Sequence, residues 1–175
     1  MKNFFVILFL VFCATTVSAQ SLSLTDITNL ATLNTLDGNN FLTQGKPFKE
    51  SYEQTIKGNT LRHYHSLTTK SETIVIGDGF KSDAGTFLHI VNYTTTQRKY
   101  LLNLIAQAQS AGLAKNFQGT DKYNSIYVFD NYLYTVRIYL KNDNSSGTIE
   151  VKQRDFVNYD WANSKTHSSF PRYFV

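Results

Sequence analysis

The chain has 175 residues, a formal net charge of +4 at pH 7 and one cysteine. This length suits one domain of ordinary size, or two small units that share a core. The Lys and Arg residues are scattered and form no runs with aromatic residues, which argues against nucleic-acid binding. Aromatic residues make up 14% of the chain. Most strand tyrosines are half-buried packing residues, and an aromatic ligand-binding face is the alternative.

The first 19 residues have the pattern of a secretory signal peptide. Lys2 gives a positive start, residues 4–13 form an apolar run, and small residues lead to a cleavage site between Ala19 and Gln20. The apolar run is too short to cross a bilayer core of about 30 Å, so a membrane anchor is disfavoured. The sequence predicts an exported protein, secreted or periplasmic, with no membrane insertion after cleavage. The only cysteine would leave with the signal peptide, so the mature chain would have none.

Residues 20–93 are predicted to form a first α+β unit. A helix is expected over residues 21–36, because apolar residues recur at helical spacing after several candidate N-caps. The polar residues Asp37 to Asn40 are expected to end it, and either a short second helix or a turn is expected at Phe41 and Leu42, ending at Gly45 and Pro47. Alternation and turn residues then predict a loop at residues 77–83 and four strands, at residues 48–56, 60–69, 72–76 and 85–93.

Residues 94–155 are predicted to form a second α+β unit that begins with a helix. Thr94 and Gln97 have the spacing of a capping box. Gly112 lies where a left-handed residue would close the helix. The predicted apolar stripe of this helix consists of Tyr100, Leu101, Leu104, Ile105, Ala108 and Ala111.

Three strands are predicted after this helix, over residues 123–129, 132–140 and 148–152. Apolar side chains alternate along each of them, as in a sheet with one buried face. Asp130 and Asn131 favour a tight turn between the first two strands. A sheet with one solvated face needs a cover on the other, and the helix supplies it.

The order of features in the two units is similar, which predicts an internal duplication. The matched features are Asn40–Phe41 with Asn116–Phe117, Gly45 with Gly119, Tyr52 with Tyr127, Asn59 with Asn131, Leu61 with Leu133, and the strand end from Thr73 with the one from Thr148, at offsets of 72 to 76 residues. Chance similarity of turns and strand ends is the alternative. The predicted fold class is α+β: two related helix-plus-antiparallel-meander units, α-β-β-β twice, with helices packed on one sheet face.

Residues 156–175 form an aromatic-rich C-terminal tail with no clear period. It is predicted to pack on the domain, over a sheet edge or one end of the core. A partner-binding tail is the alternative interpretation. The aromatic residues of the tail are Phe156, Tyr159, Trp161, Phe170, Tyr173 and Phe174.

Two resemblances follow from these patterns. The Phe-rich signal peptide ending Ser18-Ala19-Gln20, the Tyr100 to Ile105 stripe, Gly112-Leu113 and Asn131-Tyr132 resemble small secreted proteins of the Bacteroidetes, a group without a common assigned chemistry. The tandem helix-plus-meander layout is similar to the β-lactamase-inhibitor-protein type of domain pair. That resemblance implies a concave sheet that clamps a partner, and it carries over no contact residue.

His63 and His65 are the strongest candidates for chemistry. At positions i and i+2 of a strand, both imidazoles would point the same way and could meet one metal ion. His89, Asp78 and Asp83 are the nearby candidates for a third ligand. The alternative is that both histidines are ordinary exposed strand residues. The sequence has no nucleophile elbow and no P-loop, and we predict no catalytic residue, no metal and no cofactor.

The sequence therefore predicts a non-enzymatic exported protein that binds a protein or a glycan. An inhibitor or immunity-type protein that clamps an enzyme is the first alternative, and a His-dependent hydrolase is the second. No oligomeric state follows from the pattern. The candidate binding residues are the aromatic side chains Tyr127, Tyr132, Tyr139 and Trp161.

Overall fold

The computed structural model describes residues 22–81 and 87–154, with side chains for residues 22–77 and 88–154. Within these ranges the helices are α1 (Leu24–Leu30), α2 (Thr35–Gln44) and α3 (Arg98–Ser110). The strands in the same ranges are β1 (Phe48–Ile56), β2 (Asn59–Ser66), β3 (Glu72–Lys81), β4 (Phe87–Thr95), β5 (Ala114–Thr120), β6 (Asn124–Asp130), β7 (Tyr134–Lys141) and β8 (Gly147–Gln153).

All eight strands belong to one antiparallel sheet with the order β1-β2-β3-β4-β8-β7-β6-β5. Strands β1 to β4 follow one another across half of the sheet, and β5 to β8 across the other half. The halves meet where β4 pairs with β8, from Ile90 opposite Lys152 to Thr95 opposite Gly147. The predicted α+β class with an antiparallel sheet is confirmed, and strands dominate it.

Side chains alternate between the two faces of this sheet, and the strand registers place most of the buried ones on the same face. We call this face the core face. Gly147 on this face is close to Leu101 of α3, and Ile76 is close to Gly38 of α2. Two adjacent rows carry most of the buried strand side chains: Tyr64, Ile74, Tyr93, Ile149 and Ile138 in one, and Ile76, Val91, Val151, Val136 and Phe129 in the other.

The prediction of one helix over residues 21–36 is wrong, because α1 ends at Leu30 and α2 begins at Thr35. The residues expected to break the helix lie inside α2. Asn34 is the N-cap of α2, and its side chain accepts a hydrogen bond of 2.9 Å from the backbone N–H of Asp37. Asp and Asn therefore mark a helix start here, since they satisfy backbone donors that a first turn leaves unpaired.

The predicted capping box of α3 is also wrong. Thr94 lies in β4, where its hydroxyl is 3.0 Å from that of Thr148 on β8. Gln97 is the N-cap and makes no side-chain cap bond; its backbone N–H donates to the hydroxyl of Thr95 instead. The apolar stripe is confirmed from Tyr100 to Ala108, whereas Ala111 is exposed. Gly112 has the predicted left-handed conformation, with φ +72°.

The second half has four strands after its helix instead of the predicted three. The missed strand is β5, an edge strand in which every residue but Gly119 is exposed. Such a strand has no alternation of buried and exposed positions, so period-two analysis could not find it. Strand β3 also continues into the loop predicted at residues 77–83. The three strands predicted for the second half correspond to β6, β7 and β8.

Candidate functional site

The face opposite the core face is the candidate site, and we call it the open face. Three rows of side chains cross it, and Gly77 is the one buried residue among them. In strand order, the middle row is Tyr52, His63, Val75, Asn92, Glu150, Arg137, Val128 and Phe117. The flanking rows are Lys49, His65, Thr73, Thr94, Thr148, Tyr139, Ile126 and Gly119, and Gln54, Leu61, Gly77, Ile90, Lys152, Thr135, Asp130 and Ala114.

An aromatic pair occupies the β1 end of the middle row. The rings of Tyr52 and His63 stack with centroids 4.1 Å apart and an interplanar angle of 14°. A bulge in β1 shifts the register just before Tyr52, which brings this residue opposite His63. Tyr52 is 56% exposed although it is packed against a neighbour. Together with the adjacent Val75, the pair forms an accessible surface that is largely apolar.

A second apolar patch lies at the β5 end of the same row. Phe117 follows a bulge in β5 and is 51% exposed. Its ring lies over Gly119, where an added Cβ would be 2.6 Å from the end of the ring. Val128 is opposite Phe117, and the half-buried Ile126 and Tyr139 continue the patch across β6 and β7. The patch is therefore contiguous over three strands.

Polar and charged side chains fill the centre of the open face. Arg137 donates from Nη1 to Oε1 of Glu150 over 2.9 Å. The Nζ of Lys152 lies 3.7 Å from the same oxygen. The hydroxyls of Thr94 and Thr148 are hydrogen-bonded to each other across β4 and β8. Two cations thus share one carboxylate between the two aromatic ends.

The structure does not bring the four predicted binding residues together. Tyr139 lies on the open face, but Tyr127 lies on the core face and packs against the buried cluster. Tyr132 is 76% exposed in the turn between β6 and β7. Trp161 lies outside the described residues. Of the described three, one belongs to the candidate surface.

Sequence reasoning missed Tyr52 and Phe117 as surface residues. Tyr52 falls in a predicted strand, whereas Phe117 lies between the predicted helix and the strand predicted from residue 123, where no element was predicted. Each follows a bulge, which adds one residue and changes the side of the sheet that later residues face. Alternation counted from the start of either strand therefore places the aromatic residue on the wrong face. The usable signal was the presence of a large aromatic side chain in an otherwise polar stretch.

The two histidines lie on the same side of β2, as predicted. Nδ1 of His65 is 2.7 Å from the hydroxyl of Ser51, whereas Nε2 of His63 is buried and has no hydrogen-bond partner among the described residues. Among the described side chains, no group of three or more His, Cys, Asp or Glu residues could hold a metal ion. The suggested third ligand Asp83 lies outside the described residues, and Asp78 is described by its backbone only.

The tyrosines with a raised pKa lie on the core face. Burial raises the pKa of Tyr64 to about 12, with a further contribution from the negative charge of Glu50. Burial also raises the pKa of Tyr93, and the charge of Glu72 adds to this effect. Perturbed pKa values often mark functional sites. Here both groups are fully buried, so the shifts reflect core packing and not the candidate surface.

No protein-family model matches the chain, and no curated protein or solved structure shows significant similarity to it. None of the helices in residues 22–81 and 87–154 is long and apolar enough to cross a membrane.

Proposed function

We propose that this chain is an exported, non-enzymatic protein that binds another protein through the open face. The observation that carries the proposal is the middle row of that face, which has an exposed aromatic residue at each end and charged residues between them. Contiguous apolar patches with polar residues beside them are typical of interaction sites. Aromatic residues and Arg are enriched in the centres of protein interfaces.

The dimensions of the open face suit a protein partner. Eight strands at a spacing of about 4.8 Å span roughly 34 Å, and three rows of side chains cover about 20 Å along the strands. Multiplied together, these two lengths give an area close to the roughly 800 Å² that each partner contributes to a standard protein interface. A protein that clamps an enzyme as an inhibitor or immunity factor would use the same face, so this alternative is a special case of the proposal. A glycan would cover only part of it.

The proposal includes two related units with their helices on the core face. The strand order is symmetric about the β4–β8 pair, which makes β1 equivalent to β5 and β2 to β6. Tyr52 and Phe117 then become equivalent residues. Each follows a bulge in an edge strand, and each pairs with a residue eleven positions later, His63 and Val128 respectively. This correspondence differs by one strand from the alignment that matched Tyr52 with Tyr127.

The remaining parts of the proposal rest on the sequence. Residues 1–19 are proposed to direct export and to be removed. The two units are proposed to extend over residues 20–93 and 94–155. The tail of residues 156–175, predicted from the sequence to pack on the domain, lies outside the described residues.

The hydrolase alternative is favoured by one contact, the short distance between Ser51 and His65. A serine nucleophile needs such a base, and the base in turn needs a third group that orients it. Among the described residues, no carboxylate is hydrogen-bonded to His65. Labelling of the mature chain by a fluorophosphonate, lost in Ser51→Ala, would establish this alternative in place of binding.

Site-specific photo-crosslinking tests the proposed function. A photoreactive amino acid is placed at Tyr52, at Phe117 or at Leu102, which is exposed on α3. Each mature chain is then incubated with the native envelope and medium. We expect the same protein to be crosslinked from positions 52 and 117 and not from position 102. Equal crosslinking from all three positions, or none from the open face, would contradict the proposal.

Substitution then measures how much the aromatic residues at the two ends of the middle row contribute to binding. Phe117→Ala is expected to weaken capture of the crosslinked protein by about 30-fold, because aromatic anchors are common binding hot spots. Tyr132→Ala is the matched control, since Tyr132 is also aromatic and exposed but lies in a turn. A loss with Tyr132→Ala and none with Phe117→Ala would move the binding site away from the open face.

A further inference from the structure

The centre of the open face has an excess of positive charge. Glu150 faces both Arg137 and Lys152. Asp130 is the other described carboxylate in this part of the open face; it lies beyond Thr135 in the row of Lys152 and accepts a hydrogen bond from Asn116. The other residues directly opposite these three on neighbouring strands are uncharged: Asn92 opposite Glu150, Ile90 and Thr135 opposite Lys152, and Val128 opposite Arg137. The ionic cluster of Arg137, Lys152 and Glu150 therefore has a net charge of +1.

Both cations have unused capacity to bind an anion. A guanidinium group has five N–H donors, and the described residues accept one hydrogen bond from Arg137, through Nη1. The ammonium of Lys152 lies 3.7 Å from Glu150, which is beyond hydrogen-bonding distance. Their side chains are 39% and 31% exposed. A group approaching from solvent can therefore reach both residues.

We propose that the partner inserts an aspartate or glutamate side chain between Arg137 and Lys152, while its apolar side chains cover the two aromatic ends. This inference rests on the proposed function and specifies the chemistry of the partner. A single carboxylate matches the net charge of +1, whereas a phosphate dianion would leave an uncompensated negative charge. When the partner excludes water, an Arg–carboxylate bond becomes stronger and more selective than it is in solvent.

Selection from a displayed library of random 12-residue peptides provides a probe, with the full mature chain as the target. We expect the enriched peptides to contain Asp or Glu near aromatic or aliphatic residues. Arg137→Ala is expected to weaken their binding by 10- to 100-fold, and so is Asp→Asn or Glu→Gln in the peptide. The two losses should not add when combined, because both changes remove the same contact.

Two further variants test whether the local charge sets the affinity for acidic peptides. Glu150→Gln removes the competing carboxylate and raises the local charge to +2, so it should tighten binding of acidic peptides several-fold. A general loss of folding would give the opposite result. Arg62→Ala is the matched control, because Arg62 also pairs with glutamates but lies on the core face. It should leave peptide binding unchanged.

The outcomes separate this inference from the proposed function. Peptides that lose affinity with Phe117→Ala but lack acidic residues, or that are insensitive to Arg137→Ala, overturn the inference and leave binding by the open face intact. Weaker binding to Glu150→Gln, when circular dichroism shows that the variant is folded, overturns it as well. If no selected peptide responds to Tyr52→Ala or Phe117→Ala, both the inference and the proposed function fail.

Discussion

Glu72 is an acidic residue that is buried in the described core, where its side chain lowers the stability of the fold. It is the first residue of β3 and is 0% exposed, and both of its carboxylate oxygens are buried. The hydroxyl of Tyr93 is also buried and lies near Glu72. The charge of Glu72 nevertheless helps to raise the pKa of Tyr93, after burial itself. A buried polar group without a partner costs free energy on folding, and a charged one costs more.

Glu72→Met is therefore expected to raise the free energy of unfolding by about 1–3 kcal/mol at pH 7, since it replaces the buried carboxylate with an apolar side chain of similar volume. Urea unfolding followed by circular dichroism measures the change. The control is Glu53→Met, because the Glu53 side chain is 47% exposed and its replacement should change stability by less than about 0.5 kcal/mol. Lower stability of Glu72→Met would mean that the carboxylate has a favourable role in the fold.

At the scale of elements, the contact between β8 and α3 depends on a position without a side chain. Gly147 starts β8, and an added Cβ would collide with the backbone carbonyl of Tyr139 and with the side chain of Leu101. Gly119 on β5 is also crowded, but there the obstacle is the ring of Phe117. A backbone carbonyl in a paired strand cannot move aside, whereas an exposed ring can change rotamer.

We expect Gly147→Ala to lower the free energy of unfolding by about 3 kcal/mol, because the sheet and helix must separate to admit the methyl group. Gly119→Ala should cost less than about 1 kcal/mol, because only the ring of Phe117 must move. Thermal and urea unfolding of the two variants under the same conditions gives the comparison. Similar losses for both would show that the α3–β8 contact is looser than described.

Elements with one buried face could be predicted from the sequence, and fully exposed elements could not. The alternation in β7 and the apolar stripe of α3 reflect burial on one side, and both were predicted. β5 has almost no buried position, so its sequence has no period to detect. In α2, the buried Gly38 looked like part of a helix break, and the cap at Asn34 fell inside the predicted first helix. The role of Gly38 depends on Ile76, which is distant in the sequence.

The candidate site depended even more on distant pairing. Tyr127 and Tyr139 lie on neighbouring strands, but the register of β6 against β7 pairs Tyr127 with Ile138 and Tyr139 with Ile126. The two tyrosines therefore face opposite sides of the sheet. Register between strands is fixed by burial and turns, and a shift of one residue reverses every side chain. Aromatic content alone could not identify which tyrosines share a surface.

At the scale of the whole molecule, the two halves share one core. The main buried cluster contains residues from α1 through β4 and from α3 through β8. The backbone N–H of Leu24 at the start of α1 donates to the side chain of Gln107 in α3 over 2.8 Å. The pairing of β4 with β8 places this junction in the middle of the sheet. Neither half has a hydrophobic core separate from the other.

We therefore expect a single cooperative unfolding transition for the mature chain, with coincident curves from circular dichroism and tyrosine fluorescence. Fragments 20–96 and 97–175 should each be unfolded when alone, because separation bares the backbone edge of β4 or β8 and exposes half of the shared core. In the intact chain, amide exchange of β4 and β8 should require global unfolding. Two separate transitions, or a fragment that unfolds cooperatively by itself, would mean that the halves are independent units joined by a weak strand pair.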